Sequence, residues 1–192
     1  MSPHYATILA WGAWALSWLA AASWADRAAA RPAAGQQWLY RAVTFIGAIL
    51  LFSYVRSPYG RPGHLWALGP NGQWLLFGAV VLSFLFTWWA RLYLGRLWSS
   101  SVTRKADHHV VDTGPYAIVR HPIYTGLIAA GLATAAQNGT AAAFAGVIVM
   151  SLGFFIKARL EERFLREQLG TEAYDSYRRR VPMLIPFGPK SA

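Results

Sequence analysis

Residues 124–156 read YTGLIAAGLATAAQNGTAAAFAGVIVMSLGFFI and carry no formal charge. Asn138-Gly139-Thr140 interrupts this apolar stretch near its middle, and a connection this short joins antiparallel neighbouring helices. We therefore predict two spans, Tyr124–Gln137 and Ala141–Ile156, that form a helical hairpin. Both are rich in Gly and Ala, which allow helix backbones to approach closely inside a membrane.

The rest of the composition agrees with a membrane protein. The 192 residues are 55% hydrophobic and 14% charged and include ten tryptophans, whereas a soluble domain carries about 25% charged residues. Three more apolar stretches, Tyr5–Ala25, Ala42–Val55 and Trp74–Ala90, precede the hairpin. We predict an all-α polytopic integral membrane protein with about five transmembrane helices. Residues 1–94 would hold three spans and residues 95–192 the catalytic region, in one integrated membrane domain.

Charge distribution predicts the orientation. Sixteen of the eighteen basic residues, and all eight acidic ones, fall in 26–41, in 91–122 or in the tail that begins at Lys157. The positive-inside rule then places the N-terminus outside and the C-terminal helix in the cytoplasm, in the inner membrane of a prokaryote. The net charge of +10 is explained by contact with anionic lipid headgroups. We predict no nucleic-acid partner, because no basic soluble face or known binding module is visible.

Two polar segments on the predicted cytoplasmic side carry groups able to do chemistry. Residues 114–126 read GPYAIVRHPIYTG and stand at the entrance to the fourth span. Lys157 and Glu161 lie one helical turn apart after the fifth span. Because the hairpin returns the chain to the same face, we expect His108–Tyr124 to lie beside Lys157–Glu162. The plainer interpretations are a surface ion pair for Lys157 and Glu161, and a helix start at His121-Pro122.

Other candidate sites are weaker. His108 and His109 could bind a metal, but adjacent histidines without a further ligand at helical spacing are poor evidence, and we predict no metal. With no cysteine in the chain, a disulfide framework and a cysteine nucleophile are excluded. No nucleotide-binding or zinc-protease motif is present. Arg178-Arg179-Arg180 is interpreted as a contact with lipid headgroups.

Two sequence blocks together resemble a known family. The first is Val110–Gly126, VVDTGPYAIVRHPIYTG, and the second runs from Glu161-Glu162 to Ile185-Pro186, with Gly170, Tyr174 and Tyr177 between. In this order, on either side of a two-span hairpin, the blocks resemble the isoprenylcysteine carboxyl methyltransferase family. The resemblance covers residues 95–187, and the first three spans match only in being hydrophobic.

The resemblance implies an integral-membrane methyltransferase that uses S-adenosylmethionine without a Rossmann domain. Carried over residue by residue, it implies a basic residue near the substrate, Lys157, with Arg159 or Arg120 as the alternatives for orienting it, and Glu161 as a shared catalytic and cofactor residue. The implied cofactor-binding residues are His108, His109, Val110, Val111, Tyr116, His121, Pro122, Ile123, Tyr124 and Glu161. The terminal helix, with Tyr174 and Tyr177, is a candidate lid.

The resemblance also implies the substrate class. A lipophilic or prenylated substrate would enter from the bilayer, and the expected reaction is carboxyl O-methylation of a prenylcysteine-like acid. Methylation of a phospholipid amine is the alternative within methyltransferases, and a sterol-reductase-like enzyme is a more distant one. A non-catalytic membrane scaffold that keeps the fold is the alternative from another class. The sequence does not distinguish oligomeric states.

Overall fold

A computed structural model describes residues 1–22, 34–53, 64–95, 110–169 and 171–190. Within these ranges the regular structure is helical, apart from one isolated bridge between His64 and Thr140. The helices are α1 (Pro3–Ala21), α2 (Ala34–Phe52), α3 (Pro70–Leu94), α4 (Pro115–Ile118), α5 (Pro122–Asn138), α6 (Ala141–Leu169) and α7 (Thr171–Arg180). The predicted all-α class is therefore confirmed.

Proline marks the first turn of several helices. α1, α3, α4 and α5 each have Pro in this turn, where its fixed φ suits a helix and its missing N–H would have no intrahelical partner. The Ser2 side chain also accepts a hydrogen bond from the backbone N–H of Tyr5, at 3.4 Å. Local sequence thus specifies where these helices begin.

The predicted hairpin is confirmed as α5 and α6. Its turn contains Gly139, whose φ of 64° is left-handed, and whose N–H donates to the carbonyl of Ala135. A Cβ at this position would overlap the carbonyl oxygen of Trp66, so glycine is required on two counts. The helices are longer than the predicted spans: α5 begins at Pro122, and α6 continues beyond Ile156 into its charged segment.

Packing divides the bundle into two closely associated helix pairs. α6 packs most extensively against α2, and α5 packs against α3. In the first pair a Cβ added at Gly47 would overlap the backbone of Met150, and one added at Gly146 would overlap the backbone of Leu51. Further along α6, a Cβ at Gly153 would overlap Thr44 of α2. Small residues therefore allow the two backbones to touch over about two turns.

Two tryptophans of α1 donate hydrogen bonds to neighbouring helices. Trp11 donates its indole N–H to the Thr134 hydroxyl of α5 at 3.0 Å, and Trp14 donates to the Thr87 hydroxyl of α3 at 2.8 Å. In an apolar environment such bonds satisfy groups that have no water to bind. α1 is thereby oriented by specific hydrogen bonds as well as by apolar packing.

The outer surface and helix lengths indicate integration into a membrane. Among the described residues, Pro70–Leu94 and Ala141–Glu167 are both long and apolar enough to cross a bilayer, while Gln37–Phe52 is a shorter apolar helix. Large apolar side chains such as Leu16 and Phe45 are exposed. A large exposed apolar surface of this kind is unusual for a soluble monomer and suits contact with lipid.

Candidate active site

The hairpin brings the two predicted polar segments together. The start of α5 lies against the charged part of α6, and the segment after α7 closes over both. Backbone N–H groups of Arg120 and His121 donate to the carbonyls of Pro182, at 2.8 Å, and Met183, at 3.1 Å. The expected proximity of the His121 region to Glu161 is thus confirmed within the described part of the chain.

His121 bridges two neighbouring carboxylates. Its Nδ1 lies 3.5 Å from Glu161 Oε2, and its Nε2 lies 3.2 Å from Glu162 Oε1. Burial alone lowers the pKa of His121, but hydrogen bonds to Glu161 and Glu162 and their negative charges outweigh it, so the pKa is raised above 6.5. Both ring nitrogens face acceptors, which favours the doubly protonated ring.

Glu162 is surrounded by three cationic side chains, Arg120, His121 and Arg178. Arg120 Nε donates to Glu162 Oε1 at 2.7 Å, and Arg178 Nε lies 3.3 Å from Oε2. The side chains of Arg120 and Glu162 are 1% and 5% exposed. Arg120 also donates to the carbonyls of Arg178 and Val181. This ionic cluster therefore fastens the C-terminal segment to α5 and α6.

Glu161 is held differently and is more accessible. The Tyr124 hydroxyl lies 2.7 and 2.8 Å from its two carboxylate oxygens, while Lys157 Nζ is 4.0 Å away. Its side chain is 18% exposed, against 5% for Glu162. A carboxylate fixed by a tyrosine on one side, with longer contacts to its cations, retains capacity to accept from a ligand.

Aromatic rings form one wall beside Glu161. The His121 and Tyr124 rings stack at 5.4 Å, and Tyr124 stacks in turn on Phe154 at 5.3 Å. Lys157 Nζ lies 5.1 Å from the Tyr124 ring centroid and 5.6 Å from that of Tyr40 in α2. The ammonium group is therefore held between two aromatic faces, a favourable position for a cation.

Tyr116 in α4 is connected to α7 and to α3 by hydrogen bonds. Its carbonyl accepts a hydrogen bond of 2.7 Å from the Tyr177 hydroxyl, and its own hydroxyl donates to the Ala90 carbonyl at 3.4 Å. Burial raises the pKa of Tyr116 well above its usual value, so this hydroxyl stays protonated. Tyr174 and Tyr177 are both 3% exposed and pack with Val181, which describes an anchored helix α7.

The other predicted site residues lie in varied positions. Val110 packs on the Tyr174 cluster, Val111 is half-buried, Pro122 is buried and Ile123 is half-buried at the start of α5.

Arg159 is exposed and lies two residues from Lys157 and Glu161, on a different side of α6. His108 and His109 lie outside the described residues. The roles assigned to all of these residues stay predictions.

Sequence reasoning missed three participants. Glu162 was quoted only as part of a motif, although its place next to Glu161 was a usable signal. Tyr40 lies in α2, where nothing in the sequence marks it as a neighbour of Lys157. The interpretation of Arg178 as a lipid-headgroup contact is wrong: its side chain is 15% exposed and pairs with Glu162 and Asp175. Among the described residues, no group of three His or acidic side chains is arranged to hold a metal ion.

Fold and site together define an all-helical membrane protein with a buried ionic cluster at the mouth of a helical hairpin. The model of the isoprenylcysteine carboxyl methyltransferase (ICMT) family matches residues 73–167. The match covers just under half of the chain, and it confirms the resemblance inferred from the motifs. The match includes α3, which the motifs had left out, and it ends before α7.

Individual relatives carry several different names. The chain is 33% identical over 134 residues to a methanethiol S-methyltransferase of a Pseudomonas species, covering 69% of this chain and 48% of the relative. It is 37% identical over 90 residues to the protein-S-isoprenylcysteine O-methyltransferase of Schizosaccharomyces pombe, covering 45% and 36%. It is 28% identical over 151 residues to the cobalt-zinc-cadmium resistance protein CzcN of Cupriavidus metallidurans, covering 75% and 60%. The chain thus spans less than two thirds of each of these relatives.

Proposed function

We propose that this protein is an S-adenosylmethionine-dependent methyltransferase that acts on a lipophilic acceptor at the membrane. The observation that carries the proposal is the contrast between the two glutamates. Glu162 is buried among Arg120, His121 and Arg178, whereas Glu161 is oriented by Tyr124 and remains partly accessible. A structural ion pair needs no such oriented, accessible carboxylate, but a binding site for a cationic ligand does.

The residues present suit this cofactor. Glu161 would accept from its amino group in a charge-assisted hydrogen bond. When bound, S-adenosylmethionine supplies an electrophilic methyl group on a sulfonium. The chain's own residues orient the site: Tyr124 fixes the carboxylate of Glu161, and His121 holds Glu161 and Glu162 in register. The anchored α7 segment limits the access of water.

The acceptor we propose is the carboxylate of a lipophilic acid, with a prenylcysteine-like acid as the leading candidate. The name of the Schizosaccharomyces pombe relative supports an O-acceptor, and a carboxylate is already ionised at neutral pH. The name of the Pseudomonas relative supports a thiol as the second candidate. A thiol must lose its proton to become a nucleophile, so its methylation would speed up as pH rises, whereas carboxylate methylation would not.

We also propose five spans, with the N-terminus outside and the site at the cytoplasmic face of the inner membrane. The sequence supports this arrangement, because the basic residues are concentrated on one predicted side. In this arrangement the polar cofactor enters from the cytoplasm, and the lipophilic acceptor enters from the surrounding lipid. The proposed division of substrates follows from their different solubility.

Isothermal titration with S-adenosylmethionine in a nonionic detergent tests the proposal. We expect saturable binding by the wild-type protein and a loss of affinity of about tenfold or more in Glu161→Gln, the typical effect of losing a hydrogen bond to a charged group. Glu167→Gln, which changes an exposed glutamate of the same helix, is the matched control. A labelled-methyl assay over lipophilic acids, amines and thiols then identifies the acceptor. Absence of wild-type binding, or unchanged binding in Glu161→Gln, contradicts the proposal.

A further inference from the structure

The close packing of α2 on α6 brings a second helix to the site. α2 lies outside the segment that matches the family, which starts at residue 73. The contact of Gly153 with Thr44 places the preceding turn of α2 beside the following turn of α6. Tyr40 and Arg41 therefore lie next to Lys157, and the cytoplasmic end of this helix pair becomes part of the site.

Tyr40 is buried there with an unused hydroxyl. Its side chain is 4% exposed, and its hydroxyl makes no hydrogen bond of ordinary geometry among the described residues, although the Arg41 side chain lies close enough to interact with it. The ring lies 5.6 Å from Lys157 Nζ, and the group is close enough to Glu161 and Tyr124 to interact electrostatically with both. Buried polar groups are nearly always paired, so the Tyr40 hydroxyl, held only by this loose contact, has capacity left to bind a ligand at the candidate active site.

Positive charge is concentrated around this hydroxyl. The Arg41 guanidinium lies 6.0 Å from the Tyr40 ring centroid, and Arg41 and Lys157 are near enough to repel each other. Glu161, the carboxylate close to Lys157, already accepts from Tyr124 and faces His121. Among the described residues, two cations and the Tyr40 hydroxyl lie beside one carboxylate that is already engaged, and this arrangement attracts a further anion.

We propose that Tyr40, Arg41 and Lys157 form an anion-binding subsite that receives the carboxylate of the lipophilic acceptor. Two separate cationic groups and a hydroxyl donor suit the two oxygens of a carboxylate better than the single sulfur of a thiolate. The inference rests on the proposed function and extends it, because it assigns the acceptor side of the site to α2. Glu161 then serves the cofactor side, and Lys157 lies between the two.

Direct binding of a matched ligand pair tests the subsite without requiring methyl transfer. Dodecanoate and the neutral dodecanamide share one chain length and differ in head-group charge. In a nonionic detergent we expect the wild-type protein to bind dodecanoate more tightly. We expect Tyr40→Phe to weaken dodecanoate binding about tenfold and Arg41→Gln to weaken it severalfold, with a smaller effect of Arg41→Gln at high salt. Dodecanamide binding should not change.

Matched variants elsewhere control for general effects. Tyr5→Phe removes a hydroxyl from a residue that is 64% exposed, and Arg163→Gln removes a positive charge from an exposed position of α6. Both should bind dodecanoate like the wild-type protein. Equal wild-type affinity for the two ligands, or wild-type dodecanoate affinity in both Tyr40→Phe and Arg41→Gln, overturns the subsite.

The outcome separates this inference from the proposed function. Saturable S-adenosylmethionine binding that depends on Glu161, together with unchanged dodecanoate binding in the α2 variants, overturns only the subsite. Selective dodecanoate binding that depends on Tyr40, without any binding of S-adenosylmethionine, supports the anion subsite and contradicts the methyltransferase proposal. Unchanged cofactor affinity in Tyr40→Phe is expected, because the hydroxyl is assigned to the acceptor.

Discussion

Glu161 and Glu162 are identical and adjacent, yet their surroundings give them different uses. Successive residues on a helix point about 100° apart, so one carboxylate faces Tyr124 and the other faces Arg120. His121 contacts both and couples the accessible carboxylate to the structural one. At this scale the site is a small ionic network in which Glu161 is more exposed to a ligand than Glu162.

Removing the charge of Glu162 should destabilise the protein. Glu162→Gln leaves the guanidinium of Arg120, which is 1% exposed, without its charged partner, and breaking a buried ion pair from one side costs about 3–5 kcal/mol. Asp112→Asn, which breaks the exposed pair with Arg180, is the control, with an expected cost below about 1 kcal/mol. Denaturant unfolding in detergent measures both, and an equal effect of the two variants would contradict the structural role of Glu162.

The raised pKa of His121 predicts a pH-dependent stability. Because the protonated ring is favoured in the folded state, its contribution is fully present below the unfolded pKa of about 6.5 and is lost as pH rises through the folded value. We therefore expect the thermal unfolding midpoint to fall as the pH rises above about 6.5. In His121→Gln this decline should flatten, because no imidazole remains to titrate. A wild-type midpoint independent of pH in this window would contradict the assignment.

At the scale of elements, the decisive contact is between α2 and α6. Three glycines, Gly47, Gly146 and Gly153, face the opposite backbone, which leaves no room for side chains along this line. The pair is therefore held in one register. That register determines which residues of α2 reach the site, since a shift by one residue would turn Tyr40 away from Lys157.

A single methyl group tests this packing. Gly146→Ala should destabilise the protein by about 1–3 kcal/mol, the usual cost of overpacking a close contact, because its Cβ would overlap the backbone of Leu51. Gly78→Ala in α3 is the matched control, since no atom lies within 4 Å of its added Cβ. Alanine also favours a helix over glycine, so the control should be neutral or slightly stabilising. Thermal unfolding of both variants in the same detergent measures the difference. Equal unfolding midpoints for Gly146→Ala and Gly78→Ala would contradict the close packing of α2 on α6.

α7 differs from the lid that the sequence suggested as a candidate. Its tyrosines are buried, and the segment after it bonds to the backbone of Arg120 and His121. These contacts describe an anchored cover in this state of the protein. They also explain why the C-terminal motif residues stand at fixed spacing: Tyr177 has to reach the carbonyl of Tyr116, and Val181 has to reach Arg120.

For the whole molecule, the number of spans and the side of the membrane on which each terminus lies can be tested directly. With five spans, Ser2 and Lys190 would lie on opposite sides. The natural chain has no cysteine, so Ser2→Cys and Lys190→Cys each introduce a single reactive thiol at an exposed position. We expect a membrane-impermeant maleimide to label Ser2→Cys in intact spheroplasts and Lys190→Cys only after lysis. Labelling of both variants in intact spheroplasts would contradict the odd number of spans.

The sequence alone determined the helical class, the hairpin and the family, because these depend on local patterns: apolar length, a Gly-containing turn and two motif blocks at fixed spacing. It also determined that the polar ends of the hairpin meet. Only the tertiary structure decided that Glu161 is partly exposed while Glu162 is buried among cationic side chains, and that Tyr40 of α2 lies beside Lys157. Those outcomes depend on the rotation and register of packed helices, which are set by contacts between residues distant in the chain: 37 positions for Tyr124 and Glu161, 42 for Arg120 and Glu162, and more than one hundred for Tyr40 and Lys157.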